Sequence, residues 1–141
     1  MPETYRGLGL VFLYPETWTL EESLEDEAAI LLESPEGAFM TITQLPSEQG
    51  PREAVEKASQ VMIEEYEEVE TEDIVRHFGE LKMDGVQQRF IYLDLVISSQ
   101  ILAFKTQDWT YVIQIQGEDR DIDKLNIVFD AVITSAMQSL P

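Results

Sequence analysis

The chain has 141 residues, 44% of them apolar and 9% aromatic, a length and composition that suit one domain, residues 1–141, built around one core. Its 28 acidic and 9 basic residues give a formal charge of -19, which repels phosphate backbones and anionic headgroups and sets aside nucleic acid and membrane surfaces as partners. It has no cysteine, which excludes disulfides, thiolate metal sites, iron–sulfur clusters and a cysteine nucleophile.

The opening residues Met1-Pro2-Glu3-Thr4-Tyr5-Arg6 lack the basic and apolar regions of a secretory leader. No apolar run approaches the ~20 residues needed to span a bilayer, so a cytoplasmic protein is expected. Gly7-Leu8-Gly9 reads as a flexible entry to a buried strand from Leu8 to Tyr14, which Pro15 ends because proline cannot donate to a ladder. Thr17 to Glu22 is a short strand after that turn. Ala28 to Ser34 and Ala38 to Leu45 flank Pro35-Glu36-Gly37, a hairpin signal.

Pro51 suits the first position of a helix running to Tyr66, in which Ala54, Val55, Ala58, Val61, Met62 and Tyr66 recur every three or four residues. Glu53, Glu56, Lys57, Gln60 and Glu64 form its polar face. Seven of the ten positions from Glu64 to Asp73 are acidic. They fit a solvated helix end and loop, or a docking surface for a basic partner or a divalent cation.

Ile74 to Met83 can extend with an interruption near Gly79. Asp84-Gly85 reads as a tight turn before a strand from Val86 to Leu95. Strands at Ser99 to Thr106 and Trp109 to Gln116 follow, joined by Gln107-Asp108, and Gly117 ends the meander. The short links imply antiparallel neighbours. Asp121 caps a final helix whose Ile122, Leu125, Val128, Phe129, Val132, Ile133, Met137 and Leu140 keep helical spacing.

Taken in order, Tyr14-Pro15-Glu16-Thr17-Trp18, the Pro35-Glu36-Gly37 hairpin, Leu45-Pro46 before a helix, the strand Trp109-Thr110-Tyr111-Val112-Ile113 and a helix ending Ile133-Thr134-Ser135 resemble the PsbP-like superfamily. That superfamily includes the Mog proteins, and the resemblance is nearest to its DcrB-like bacterial proteins and the Eag-type chaperones of type VI secretion. It covers nearly the whole chain. It implies an α+β fold in a single domain, with an antiparallel sheet of about six to seven strands packed with helices as an α/β/α-like sandwich.

The resemblance also implies binding without catalysis. PsbP proteins support photosystem II, Mog proteins bind a small GTPase and Eag-type chaperones hold apolar effector segments, with no shared catalytic residue to carry over. The chain departs from exported members in lacking the lipoprotein cysteine and a transit peptide, which weakens lumenal and periplasmic readings.

The residues themselves set up no chemistry. His77 is the only histidine, so a metal would have to rest on carboxylates alone. Ser98 or Ser99 with His77 and an Asp makes a triad only on paper, for no Gly-x-Ser-x-Gly elbow is present. Asp119, Asp121 and Asp123 begin like a calcium loop, but its sixth and twelfth places hold Lys124 and Asp130 instead of Gly and Glu. No catalytic, cofactor or metal residue is assigned.

The aromatic strands carry the remaining signal. Trp109 to Gln116 has one face of Trp109, Tyr111, Ile113 and Ile115 and another of Thr110, Val112, Gln114 and Gln116, while Phe90 to Leu93 is apolar on both, so the sheet either lies covered by helices or a twin subunit or leaves a concave face open to an apolar peptide. Phe90, Tyr92, Leu102, Phe104, Trp109 and Tyr111 are the expected partner-binding residues. The chain is accordingly read as a non-enzymatic protein-binding module, an adaptor or chaperone for a partner with an apolar segment or a basic surface. A homodimer is expected, and a structural accessory subunit of a larger complex is the alternative.

Overall fold

The computed structural model describes residues 1–140. Two strands, β1 (Glu3–Gly7) and β2 (Leu10–Tyr14), form a separate antiparallel hairpin. The rest is one seven-stranded sheet with two helices. Its strands are β3 (Thr19–Ser23), β4 (Ala29–Glu33), β5 (Phe39–Pro46), β6 (Glu70–Phe78), β7 (Leu81–Tyr92), β8 (Leu95–Lys105) and β9 (Trp109–Glu118). Helix α1 (Pro51–Glu65) joins β5 to β6, and α2 (Asp119–Gln138) follows β9. All pairings are antiparallel in the order β3-β4-β5-β9-β8-β7-β6, so β3 and β6 are the edges.

One face of the sheet carries the larger core. Leu32, Met40, Ile42, Met83, Leu102, Phe104, Tyr111 and Ile113 pack there against Ile122, Phe129, Val132, Ile133 and Ala136 of α2 and against Tyr5, Leu10 and Phe12 of the β1–β2 hairpin. The Tyr14 to Trp18 segment has a physical role in this layer. The Trp18 amide donates to the Pro15 carbonyl, and the turn drops the indole edge-on to Phe129 at 5.0 Å. Hydroxyls of α2 and of the residue that ends it then satisfy the free edge of β2. Ser135 accepts from the Leu13 amide at 2.9 Å and Ser139 from the Val11 amide at 3.2 Å.

The other face is only partly covered. Helix α1 lies over β7, β8 and β9 on a smaller core of Leu45, Ala54, Val55, Met62, Val86, Phe90, Ile101, Ala103 and Val112. A polar seam crosses its seat. Gln88 is 0% exposed and donates to Ser59 Oγ at 2.9 Å and Thr71 Oγ1 at 3.2 Å, while Gln114 donates to Ser99 Oγ at 3.1 Å. Beside α1, Thr41 and Thr43 of β5 line a depression with Ala54, Lys57, Ala58 and Val61, and Leu31 of β4 and Phe39 of β5 are half-buried.

Several boundaries differ from those expected. Gly7-Leu8-Gly9 is no flexible entry but the turn of the first hairpin, with Leu8 at φ 53° and Gly9 at φ 74°. The interruption expected near Gly79 is found there, as the Gly79-Glu80 link between β6 and β7, where Gly79 has φ 64°. Asp84-Gly85 is not a turn. It lies within β7, where a Cβ on Gly85 would stand 2.1 Å from the Ile101 carbonyl oxygen. The glycine is there for close strand approach. Gly117 likewise lies inside β9. The acidic segment ends in the edge strand, not in a loop, and α2 starts at Asp119 with Asp121 in its first turn.

Candidate interaction surface

The six residues expected to line an open face do not share one. Leu102, Phe104 and Tyr111 are buried beneath α2 and the first hairpin, with the Phe104 and Tyr111 rings stacked at 5.0 Å. Phe90 is buried on the opposite face, stacked on Tyr66 at 4.2 Å. Only Tyr92 and Trp109 are exposed, at 50% and 39%. Leu102, Phe104 and Tyr111 are covered because the C-terminal helix and the unforeseen first hairpin share their face of the sheet.

The exposed apolar surface lies instead at the tip of β7 and β8. The β6 register ends at Arg89, and the β9 register ends at Ile97. From Phe90 to Val96 the two strands therefore pair only with each other and project past the sheet. Ile91, Tyr92, Leu93, Asp94, Leu95 and Val96 are six consecutive exposed residues. Five of them are large and apolar, with Leu93 at 77% and Ile91 at 69% exposure. Ile91 faces Val96 across the pair on one side, Tyr92 faces Leu95 on the other, and Leu93 caps the end.

The turn has the geometry of the Leu8-Gly9 link in the first hairpin. Leu93 at φ 51° and Asp94 at φ 65° both occupy the left-handed region that a tight two-residue hairpin link requires. Asn-Gly or Asp-Gly meets that requirement readily, whereas a leucine there costs about 1–2 kcal/mol. The chain keeps a branched apolar side chain at the position where the backbone least favours it.

Acids border the tip on one side. Glu67, Glu68 and Glu70 line a depression of about 460 Å³ together with Arg89, Phe90, Ile91 and Val96. The three glutamates are exposed. Arg89 is occupied by Asp119 at 3.2 Å, so it does not neutralise the rim.

Residues considered for chemistry lie apart. His77 is exposed on β6 opposite Lys82, whereas Ser98 and Ser99 oppose Arg89 and Gln88, about 20 Å along the ladder at ~3.3 Å per residue. Both serines are buried and accept from Gln87 and Gln114. Among the described residues no three His, Asp or Glu converge into a metal-holding group, and that includes the segment from Glu64 to Asp73. Asp119 and Asp121 sit in the first turn of α2, where negative charge favours the helix dipole. Among the described residues Tyr5 is the one group clearly perturbed. Burial raises its phenol well above the usual range, helped by the 2.6 Å hydrogen bond it donates to Glu22.

Among the described residues no helix is long and apolar enough to cross a membrane. No protein-family model and no curated protein matches the sequence. Solved structures do match. A Bacteroides thetaiotaomicron protein aligns with 94% of this chain at a TM-score of 0.65 and 12% identity, and the chain spans 47% of that protein. Cyanobacterial PsbP (CyanoP) from Synechocystis aligns with 95% of this chain and 90% of its own at a TM-score of 0.60 and 14% identity. The Saccharomyces cerevisiae Ran-binding protein Mog1p aligns over 100% of this chain and 99% of its own at a TM-score of 0.60 and 7% identity. At such identities the likeness is one of fold, and the fold is the PsbP-like one shared with Mog1p.

Proposed function

We propose that this PsbP-like domain is a non-catalytic protein-binding module, an adaptor or chaperone that holds an apolar segment of a partner protein at the β7–β8 tip. One observation carries the reading. Five large apolar side chains stand exposed within six residues, on a two-stranded projection that pairs with nothing else. An exposed cluster of this kind on a protein so highly charged elsewhere is what an interaction site presents.

Tyr92 remains in the proposed site, while Phe90 supports it from beneath through Tyr66, whose ring also meets Tyr92 edge-on at 5.5 Å. The fold neighbours include a protein described as Ran-binding, so a protein partner is in keeping with the fold. A structural accessory subunit would use the same tip, permanently covered. On this reading the protein works in the cytoplasm as a binder and not as an enzyme.

Site-specific photo-crosslinking in the source cells tests it. A crosslinker at Leu93 or Val96 should yield a discrete protein adduct, and one at Glu36 on the β4–β5 turn should not. Leu93→Asn should abolish the Val96 adduct while raising stability by about 1 kcal/mol, since Asn tolerates the left-handed region. Equal adducts at Leu93 and Glu36, or none at the tip, would overturn the proposal.

A further inference from the structure

We infer that the partner segment is amphipathic and basic, with apolar side chains seated on the β7–β8 tip and lysines or arginines reaching the glutamate rim beside it. The inference rests on the proposed tip site and specifies the chemistry of what it takes. Ile91 and Val96 are at once part of the apolar cluster and part of the wall of the depression that Glu67, Glu68 and Glu70 enclose. Apolar contact and negative charge therefore meet on one surface, and a segment that satisfied only the apolar half would desolvate carboxylates with no counter-charge.

Charge also selects against the alternatives. Arg89 is already paired with Asp119, which leaves the rim net negative. A second copy of this chain would bring Asp94 and the same three glutamates to the contact, adding like charges to a molecule already at -19. An acidic amphipathic segment meets the same repulsion. A basic one gains on both counts, and its association would be steered by the field of the whole protein.

Defined peptides make the test. The probe is an amphipathic helix of about 18 residues built from leucine and lysine, with a counterpart in which every lysine is glutamate. The lysine peptide should bind, weakening as salt rises from ~50 to ~300 mM, and the glutamate peptide should bind at least ~100-fold more weakly. E67Q/E68Q/E70Q should weaken the lysine peptide about tenfold and flatten its salt dependence. Leu93→Asn should weaken it without flattening that dependence.

If both peptides bind equally and Leu93→Asn weakens both, the tip is a binding site but the basic partner is wrong. If Leu93→Asn leaves the lysine peptide unaffected while the glutamine variant weakens it, the attraction is bare acidity and the assignment to the tip fails. If the protein sediments as a dimer that Leu93→Asn dissociates, the tip belongs to a second copy and the inference is overturned.

Discussion

Gly85→Ala gives the sharpest check on the sheet, because the sign of its effect depends on a single close approach. Gly85 lies within β7 opposite Leu102, and its φ is not in the left-handed region. With free space around it, alanine would be favoured there by roughly 0.5–1 kcal/mol, since glycine loses more backbone freedom on folding. The space is not free. An added Cβ would lie 2.1 Å from the Ile101 carbonyl oxygen and 2.8 Å from the Leu102 side chain. The leucine can turn aside, but the carbonyl belongs to the ladder.

Relieving that contact requires the two strands to part by about 1 Å, against their usual spacing of ~4.8 Å. Overpacking of this kind costs about 1–3 kcal/mol, so the net loss should be about 1–2 kcal/mol after the entropy gain. Urea unfolding followed by far-ultraviolet circular dichroism should show a midpoint lowered by about 0.5–1 M with an unchanged slope near 2 kcal/mol/M. An unchanged or raised midpoint would mean that β7 and β8 do not approach as described, and the register from Asp84↔Ala103 to Tyr92↔Leu95 would have to be abandoned.

Phe129→Ala should cost about 3–5 kcal/mol, because the ring is 0% exposed and also holds Trp18, and a loss under about 1 kcal/mol in the same assay would show that α2 is seated otherwise. Tyr5 supplies a pH dependence. Its phenol titrates above the unfolded value of about 10, so its contribution is fully present below that pH and is lost as pH rises through the folded value. Wild-type thermal midpoints should therefore fall faster above about pH 10 than those of Tyr5→Phe, and parallel profiles would remove the hydrogen bond to Glu22 from the account.

Much of the fold is legible in the sequence because its signals are local. Pro51 and the three-and-four spacing of α1, the stripe of α2, and Gly37 at φ 96° between β4 and β5 all act through neighbours in the chain. What misleads is a residue whose reason lies across space. Asp84-Gly85 has the composition of a turn, yet the glycine answers to a carbonyl on β8. Leu93-Asp94 is a turn without the composition of one, so the tip passes for the end of an ordinary strand.

The candidate site is less legible for the same reason. Apolar and aromatic content points to Leu102, Phe104 and Tyr111, but their neighbours Phe12, Phe129 and Ile133 come from remote parts of the chain and bury them. The exposed members Ile91, Leu93, Leu95 and Val96 are distinguished only by where the β6 and β9 registers stop. Only a pairing pattern reveals that. Tyr92 is the one tip residue that the aromatic signal finds.

The two edges of the sheet bear on how such a tip is tolerated at cellular concentrations. An unpaired edge is a template for sheet growth, and β3 and β6 offer one at each end of seven strands. Both are studded with exposed carboxylates, Glu21 and Glu22 on one, Glu70, Glu72 and Asp73 on the other. Strand-on-strand stacking of copies would align these like charges at ~4.8 Å. The acidity of the chain is thus placed where polymerisation would begin, and it opposes edge-to-edge growth on a protein that carries an exposed apolar projection.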